Sequence, residues 1–117
     1  MGINDCGEIV GAYTGSDGRS HGFLKEGSSF TPIDVPFPGV TSTQPNGINN
    51  RGEIVGNYVD NSGEHGFIFP NGVFTRLDVS FPSVTVTETE TGGINDLGEI
   101  VGSYSTSQSV FGFLAKP

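Results

Sequence analysis

The chain has 117 residues, with 13 acidic residues against five lysines and arginines, for a net charge of −8. That balance repels a phosphate backbone or an anionic bilayer, which argues against nucleic acid and anionic membranes as partners, and no apolar run approaches a transmembrane length, so no membrane insertion is expected. Gly (19) and Pro (7) are high while Trp is absent, so the composition favours short strands and tight turns over helices.

In chain order, the first element is the phrase GINDCGEIVGAY at residues 2–13. It returns as GINNRGEIVGNY at 47–58 and as GINDLGEIVGSY at 93–104, with a period of 45 (Ile3 to Ile48) and then 46 (Ile48 to Ile94). Periods of about 20–50 residues indicate solenoids, propellers or arrays. Within each phrase, Asn, Asp and Gly cluster where a hairpin must turn, so the strand ending in GIN is predicted to fold back on GEIVGxY. Cys6 sits in the first of these turns, where the other copies have Arg51 and Leu97. A lone cysteine forms no intrachain disulfide, and no Cys–His pairing signature accompanies it.

A second polar turn, TGSDGRS or VDNSGE, leads into HGFL or HGFI, and a third, KEGSS or PNG, leads into FTPIDVP or FTRLDVS. Links this short suit antiparallel neighbours. The fourth link, PFPGVTSTQPN or SFPSVTVTETETG, is longer, and proline interrupts the ladder where the chain leaves one sheet. The sequence thus predicts one all-β repeat domain over 1–117, with units 1–46, 47–92 and a truncated 93–117. Each complete unit is a four-stranded antiparallel meander, and two and a half to three of them make a β-propeller-like array. A β-prism or trefoil arrangement of three units is the alternative. The chain opens inside its own repeat, so a piece of a longer array is expected.

Gly11, Gly56 and Gly102 fall mid-strand in the three copies, which predicts close approach of a neighbouring sheet, with Gly22, Gly66 and Gly112 serving the same purpose one strand out. Ile9, Ile54 and Ile100 point to one face and Val10, Val55 and Val101 to the other. Both faces being apolar predicts sheets sandwiched between like sheets.

The tripeptides HGF at 21–23 and 65–67, decaying to FGF at 111–113, accompany GINxxGxIVGxY at fixed spacing over nearly the whole chain. In this the chain resembles the HAF-type extracellular repeat family, named for its His-Ala-Phe signature. The resemblance implies a secreted or surface protein of bacteria with β-propeller-like repeats, and it brings no catalytic residues. Gly for the central Ala, and Phe111 for His, are departures from the family pattern.

Candidate site residues are few. His21 and His65 could ligate a metal, but equivalent positions of neighbouring units are normally far apart, so structural histidines at strand starts are expected. Asp17, Asp60 and Asn61 could offer oxygens to Ca²⁺, yet they lack the alternating acidic pattern of a calcium loop, and Asx turns explain them. Asp34 and Asp78, like Glu8, Glu53 and Glu99, recur in every available unit, which speaks for ladder or turn roles over catalysis. Glu88 and Glu90 form the acidic cluster that differs between copies, placed by the propeller frame near a central channel, with a solvated strand face as the plainer reading. Tyr13, Tyr58 and Tyr104 close the same strand in each copy and could stack on sugar rings, one shallow site per unit, unless they simply pack at a strand end.

No cofactor or metal is implied, and no zinc spacing, phosphate-cradling loop or Ser–His–Asp order stands out. The leading expectation is a non-enzymatic secreted or cell-surface scaffold, a homo-oligomer self-assembling through open strand edges. A multivalent carbohydrate-binding lectin with a glycan partner is the alternative, and a fragment of a propeller hydrolase a more distant one.

Overall fold

The computed structural model describes residues 1–69, 73–78 and 86–116. Among them the regular elements are strands: β1 (Gly2–Ile3), β2 (Ile9–Thr14), β3 (Ser20–Glu26), β4 (Ser29–Ile33), β5 (Ser42–Ile48), β6 (Ile54–Asp60), β7 (Gly63–Phe69), β8 (Thr75–Leu77), β9 (Glu88–Ile94), β10 (Ile100–Ser105) and β11 (Val110–Ala115). One sheet has four antiparallel strands in the order β1-β2-β3-β4. The other has seven, in the order β11-β10-β9-β7-β6-β5, with β8 on the flank of β7. Among the described residues its parallel contact is β7 with β9, through the pair Glu64–Glu88, and this makes the sheet mixed. The turn at 70–72, the crossing link at 79–85 and Pro117 lie outside the described residues.

Three successive meanders therefore run β1–β4, β5–β8 and β9–β11. The hairpins expected at each GIN phrase are present, and Gly7, Gly52 and Gly98 supply the left-handed residue at φ near +80°. The sequence boundaries at 46/47 and 92/93 fall inside β5 and β9, so the later meanders begin at Ser42 and Glu88.

Strand alternation gives each meander two unlike faces. An aromatic face carries Tyr13 and Phe23, then Tyr58 and Phe67, then Tyr104 and Phe113. An aliphatic face carries Val10 and Leu24, then Val55 and Ile68, then Val101 and Leu114. The core forms where the first aliphatic face meets the middle aromatic face: Val10, Ile33 and Val35 cluster with Ile48, Ile54, Tyr58 and Phe67, and Leu24, Phe37 and Val40 pack alongside. At the second seam, Gly66 of the middle meander lies against the Thr91 methyl, and the Thr91 amide donates to Asn57 Oδ1 at 2.7 Å.

The expectation of two covered faces holds for the middle meander alone. Val55 is fully buried, whereas Val101 in the third meander is 53 % exposed. The first meander buries Val10 and leaves its aromatic side open, so the end meanders expose opposite faces.

The mid-strand glycines need correction. A Cβ on Gly56 would overlap the Gln44 carbonyl oxygen and lie 2.8 Å from the Phe67 ring, both in its own sheet. Gly102 meets the Glu90 carbonyl and Phe113 in the same way, and Gly11 meets Phe23 at 3.0 Å. The partner strands of Gly56 and Gly102 are bulged at these points, between Pro45 and Gly47 in β5 and between Thr91 and Gly93 in β9, and a bulge pushes backbone toward its neighbour. These three glycines thus make room inside a sheet. Gly22 and Gly66 are crowded from both sides, a Cβ there lying 2.3 and 2.7 Å from the Ile33 and Leu77 carbonyl oxygens of their own sheets and 2.8 and 3.0 Å from Pro45 and Thr91 of the next meander, while Gly112 faces nearly open space. The innermost glycines complete the close approach: a Cβ on Gly2 would lie 2.9 Å from the Gly47 Cα, and one on Gly47 3.2 Å from the Gly93 Cα.

Candidate functional site

The first cluster is the turn that repeats three times. Asn4 Oδ1 accepts the amides of Cys6 and Glu8 at 3.1 and 3.0 Å, and Asn4 Nδ2 donates to Glu8 Oε1 at 2.7 Å. Asn49 does the same with Arg51 and Glu53, and Asn95 with Leu97 and Glu99. The second hydrogen of the first two amides reaches the following unit: Asn4 Nδ2 donates to the Asn49 carbonyl and Asn49 Nδ2 to the Asn95 carbonyl, both at 3.0 Å. Beside this ladder runs another. Asn50 Nδ2 donates to Asp5 Oδ2 at 2.9 Å and to Asp96 Oδ2 at 2.8 Å, while Asp5 N donates to Asn50 Oδ1 and Asn50 N to Asp96 Oδ1. The recurring Asn and Glu are consumed in building turns and joining units. The sequence showed their recurrence, but only the stacking of one turn on the next reveals the bonds between them.

The second cluster surrounds the histidines. His65, buried, has Nδ1 2.9 Å from Asp78 Oδ1 and Nε2 3.1 Å from Asp60 Oδ1. His21 is bracketed likewise, with Nε2 3.0 Å from Asp17 Oδ2 and Nδ1 3.3 Å from Asp34 Oδ1. The Asp17 hydrogen bond holds the His21 pKa above its ordinary value, reinforced by Asp34 and opposed by partial desolvation. Asp17 is lowered in turn, first by the Arg19 backbone amide and then by His21. The Ser62 hydroxyl and backbone amide, with His65, hold Asp60 below the usual carboxylate range. Each histidine packs its ring on a tyrosine, at 5.6 Å for Tyr13–His21 and 5.2 Å for Tyr58–His65. Phe111 keeps the ring contact, stacking on Tyr104 at 5.3 Å. Its turn has Thr106 where the middle turn has Asp60, so histidine and carboxylate are replaced together. The Asp17 and Asp60 oxygens are thus engaged in Asx turns and His contacts.

Ser62, His65 and Asp78 have the spacing of a nucleophile, base and orienter, since Ser62 Oγ lies 2.8 Å from His65 Nε2. The surroundings do not suit that chemistry. Ser62 Oγ donates to Asp60 Oδ1 at 2.7 Å, and the same carboxylate faces Nε2, where a general base needs a free lone pair. Arg76 also pairs with Asp78 and lies 3.1 Å from His65 Nδ1. His21 sits in the same two-carboxylate bracket, so the bracket belongs to both units.

The third cluster joins Glu88 and Glu90 with Glu64, which sequence reasoning missed; their carboxylate oxygens lie within 4.8 Å of one another. Glu64 stands where the first unit has Ser20 and the third Val110, and that departure was the available signal. Burial, then a hydrogen bond with Glu90, pushes the Glu64 pKa up to about 7, so the cluster keeps a proton at acidic pH and gives it up as the pH rises through about 7. Three carboxylates offer hard oxygen ligands, and Ca²⁺, which takes six to eight oxygens, would need bidentate binding or water to complete its shell there.

The tyrosines are not equivalent. Tyr58 is 1 % exposed beneath Phe37, Tyr104 is half-buried, and Tyr13 is 51 % exposed. Tyr13 borders an apolar groove of about 340 Å³ with Phe23, Phe30, Thr31 and Pro32. A second cleft of about 310 Å³ opens between the middle and third meanders, lined by Ile68, Leu77, Ile94, Ile100 and Ala115. Ala115 occupies the position of Phe69, which at the first seam stacks on Phe74 at 4.2 Å. Among the described residues no helix is long and apolar enough to cross a membrane. Comparison of the chain with family models, with curated proteins and with solved structures finds no match.

Proposed function

We propose that the chain is a non-enzymatic scaffold of propeller-like units, secreted or displayed on a bacterial surface, that self-assembles where its ends leave sheet surface and strand edges open. The observation that carries this reading is the double asparagine ladder, in which the recurring polar residues are spent on joining one unit to the next. A chain that repeats a joining device is a chain organised to stack. The HAF-like phrases support the surface location, and the net charge of −8 suits a soluble, exposed assembly. The free edge of β11 and the short β1 offer backbone for strand pairing between protomers.

Light scattering of the 117-residue chain over a concentration series tests the proposal. A discrete oligomer is the expected result, and a monomer at every concentration overturns it. A fluorophosphonate probe tests the non-enzymatic part: Ser62 should stay unlabelled, and labelling that His65→Gln abolishes would restore the hydrolase reading.

The groove beside Tyr13 favours one second reading, a sugar site on the exposed aromatic rings. It would lie on the first meander, because Tyr58 is covered and Tyr104 is half-buried. A glycan array with Tyr13→Ala as control separates it from the scaffold.

A further inference from the structure

We propose that two protomers join face to face, the open aromatic face of the first meander of one seating on the open aliphatic face of the third meander of another. This rests on the scaffold reading and names its interface, replacing strand-edge pairing by the contact the chain already makes twice internally. At both internal seams an aliphatic face meets the aromatic face of the following meander. What remains is one face of each kind, at opposite ends. Phe30 (64 % exposed) lies beside Tyr13 and Phe23 on the aromatic side, and Leu114 (56 % exposed) lies beside Val101 and Val110 on the aliphatic side. The occupant that fits each open face is therefore the other open face of the same chain, and continuity with the internal seams identifies it.

The polar ladder points the same way. Asn4 and Asn49 each donate one amide hydrogen to their own turn and one to the next asparagine carbonyl. Among the described residues Asn95 Nδ2 has Glu99 as its partner and no following carbonyl. Continuing the stack places the Asn4 carbonyl of a second protomer there. Likewise Gly93, the last of the close-packed glycine column, has Gly47 behind it, but among the described residues a Cβ built on it would meet only the Val101 side chain, at 4.0 Å, and Gly2 of the second protomer would follow it there.

One step is imperfect, and that makes the proposal testable. Internally, Asn50 stands between Asp5 and Asp96 and donates to both. Between protomers Asp96 would meet Asp5, two carboxylates with no amide between them, which weakens the contact. Asp5→Asn would recreate the Asp5–Asn50 pairing at the new seam, with Nδ2 donating to the neighbouring Asp96.

The experiment is sedimentation velocity on the full chain and on Phe30→Glu, Leu114→Glu and Asp5→Asn, with circular dichroism as a check of folding. The first two side chains are largely exposed in the single chain, so neither change should disturb its fold. The expected result is that each Glu variant alone is monomeric where the wild type associates, and that an equimolar mixture forms a one-to-one pair through the single intact interface. Asp5→Asn should tighten association by about 3- to 10-fold. Loss on Phe30→Glu with full association of Leu114→Glu would overturn the proposal in favour of two aromatic faces meeting. Full association of both variants would overturn it in favour of strand-edge pairing, leaving the scaffold reading intact. A wild type that stays monomeric would overturn both.

Discussion

The middle meander and its two neighbours are built from nearly the same sentence, yet they end in different environments. Tyr58, Phe67 and Val55 are sealed, while Tyr13 and Val101, their equivalents at the ends, are about half exposed. Nothing in the local sequence separates them: the strands are IVGAYT, IVGNYV and IVGSYS. The difference comes from whether another sheet lies on the face. Burial in a repeat chain is thus a property of position in the stack, and stability should concentrate in the middle.

The sharpest way to break that contrast is to truncate the same ring in two places. Phe67→Ala should cost about 3–5 kcal/mol, because the ring is fully buried between two sheets. Phe23→Ala, on the half-open face, should cost about 1–2 kcal/mol. Urea unfolding below the association range reads both, and equal losses would mean that the first aromatic face is covered in the single chain. The glycines give a second contrast. Gly56→Ala drives a methyl into the Gln44 carbonyl and the Phe67 ring and should cost about 2–3 kcal/mol, whereas Gly112→Ala, with only the Gly102 oxygen at 3.8 Å, should stay within about 0.5 kcal/mol. A third contrast uses the ladder. Asn49→Ala removes a buried side chain that accepts two amides and donates twice, for a loss of about 2 kcal/mol. Asn95→Ala, exposed and lacking the onward bond, should lose about half as much, and equal losses would show that the turn alone matters.

Much of the fold is legible in the sequence. The 45-residue repeat and the Asn/Gly turns located the hairpins and the strand order within each meander, because both depend on local backbone preferences. The bulges between Pro45 and Gly47 and between Thr91 and Gly93 are not legible in the sequence, which is why its pattern points Gly56 and Gly102 to a seam when they serve their own sheet. The site residues divided in the same way. Recurrence marked Asp34, Asp78, Glu8, Glu53 and Glu99 as structural, but their partners depend on which side chains a neighbouring strand or turn brings near. Tyr58 could not be told from Tyr13, since what hides it is Phe37 in the crossing link of the preceding unit.

The smallest expected effect concerns Glu64, which stands where neither neighbouring unit has a carboxylate. Its pKa rises from 4.5 to about 7, first through desolvation and then through Glu90 and Glu88. Between those two values the folded chain keeps a proton that the unfolded chain has released. Folding is therefore favoured by this group at low pH, and the advantage is lost as the pH rises through about 7. Glu64→Gln keeps a hydrogen-bond donor toward Glu90 and removes the ionisation. At pH 8 the variant should be more stable than the wild type by about 0.5 kcal/mol, a figure discounted because the half-buried group still meets solvent and its neighbours Glu88 and Glu90 are exposed. At about pH 4 both side chains are neutral in the folded and mostly in the unfolded state, so the gain should vanish. Urea midpoints at the two pH values measure the difference. A gain of equal size at both would assign it to packing, and no gain at pH 8 would mean that water screens the three carboxylates from one another.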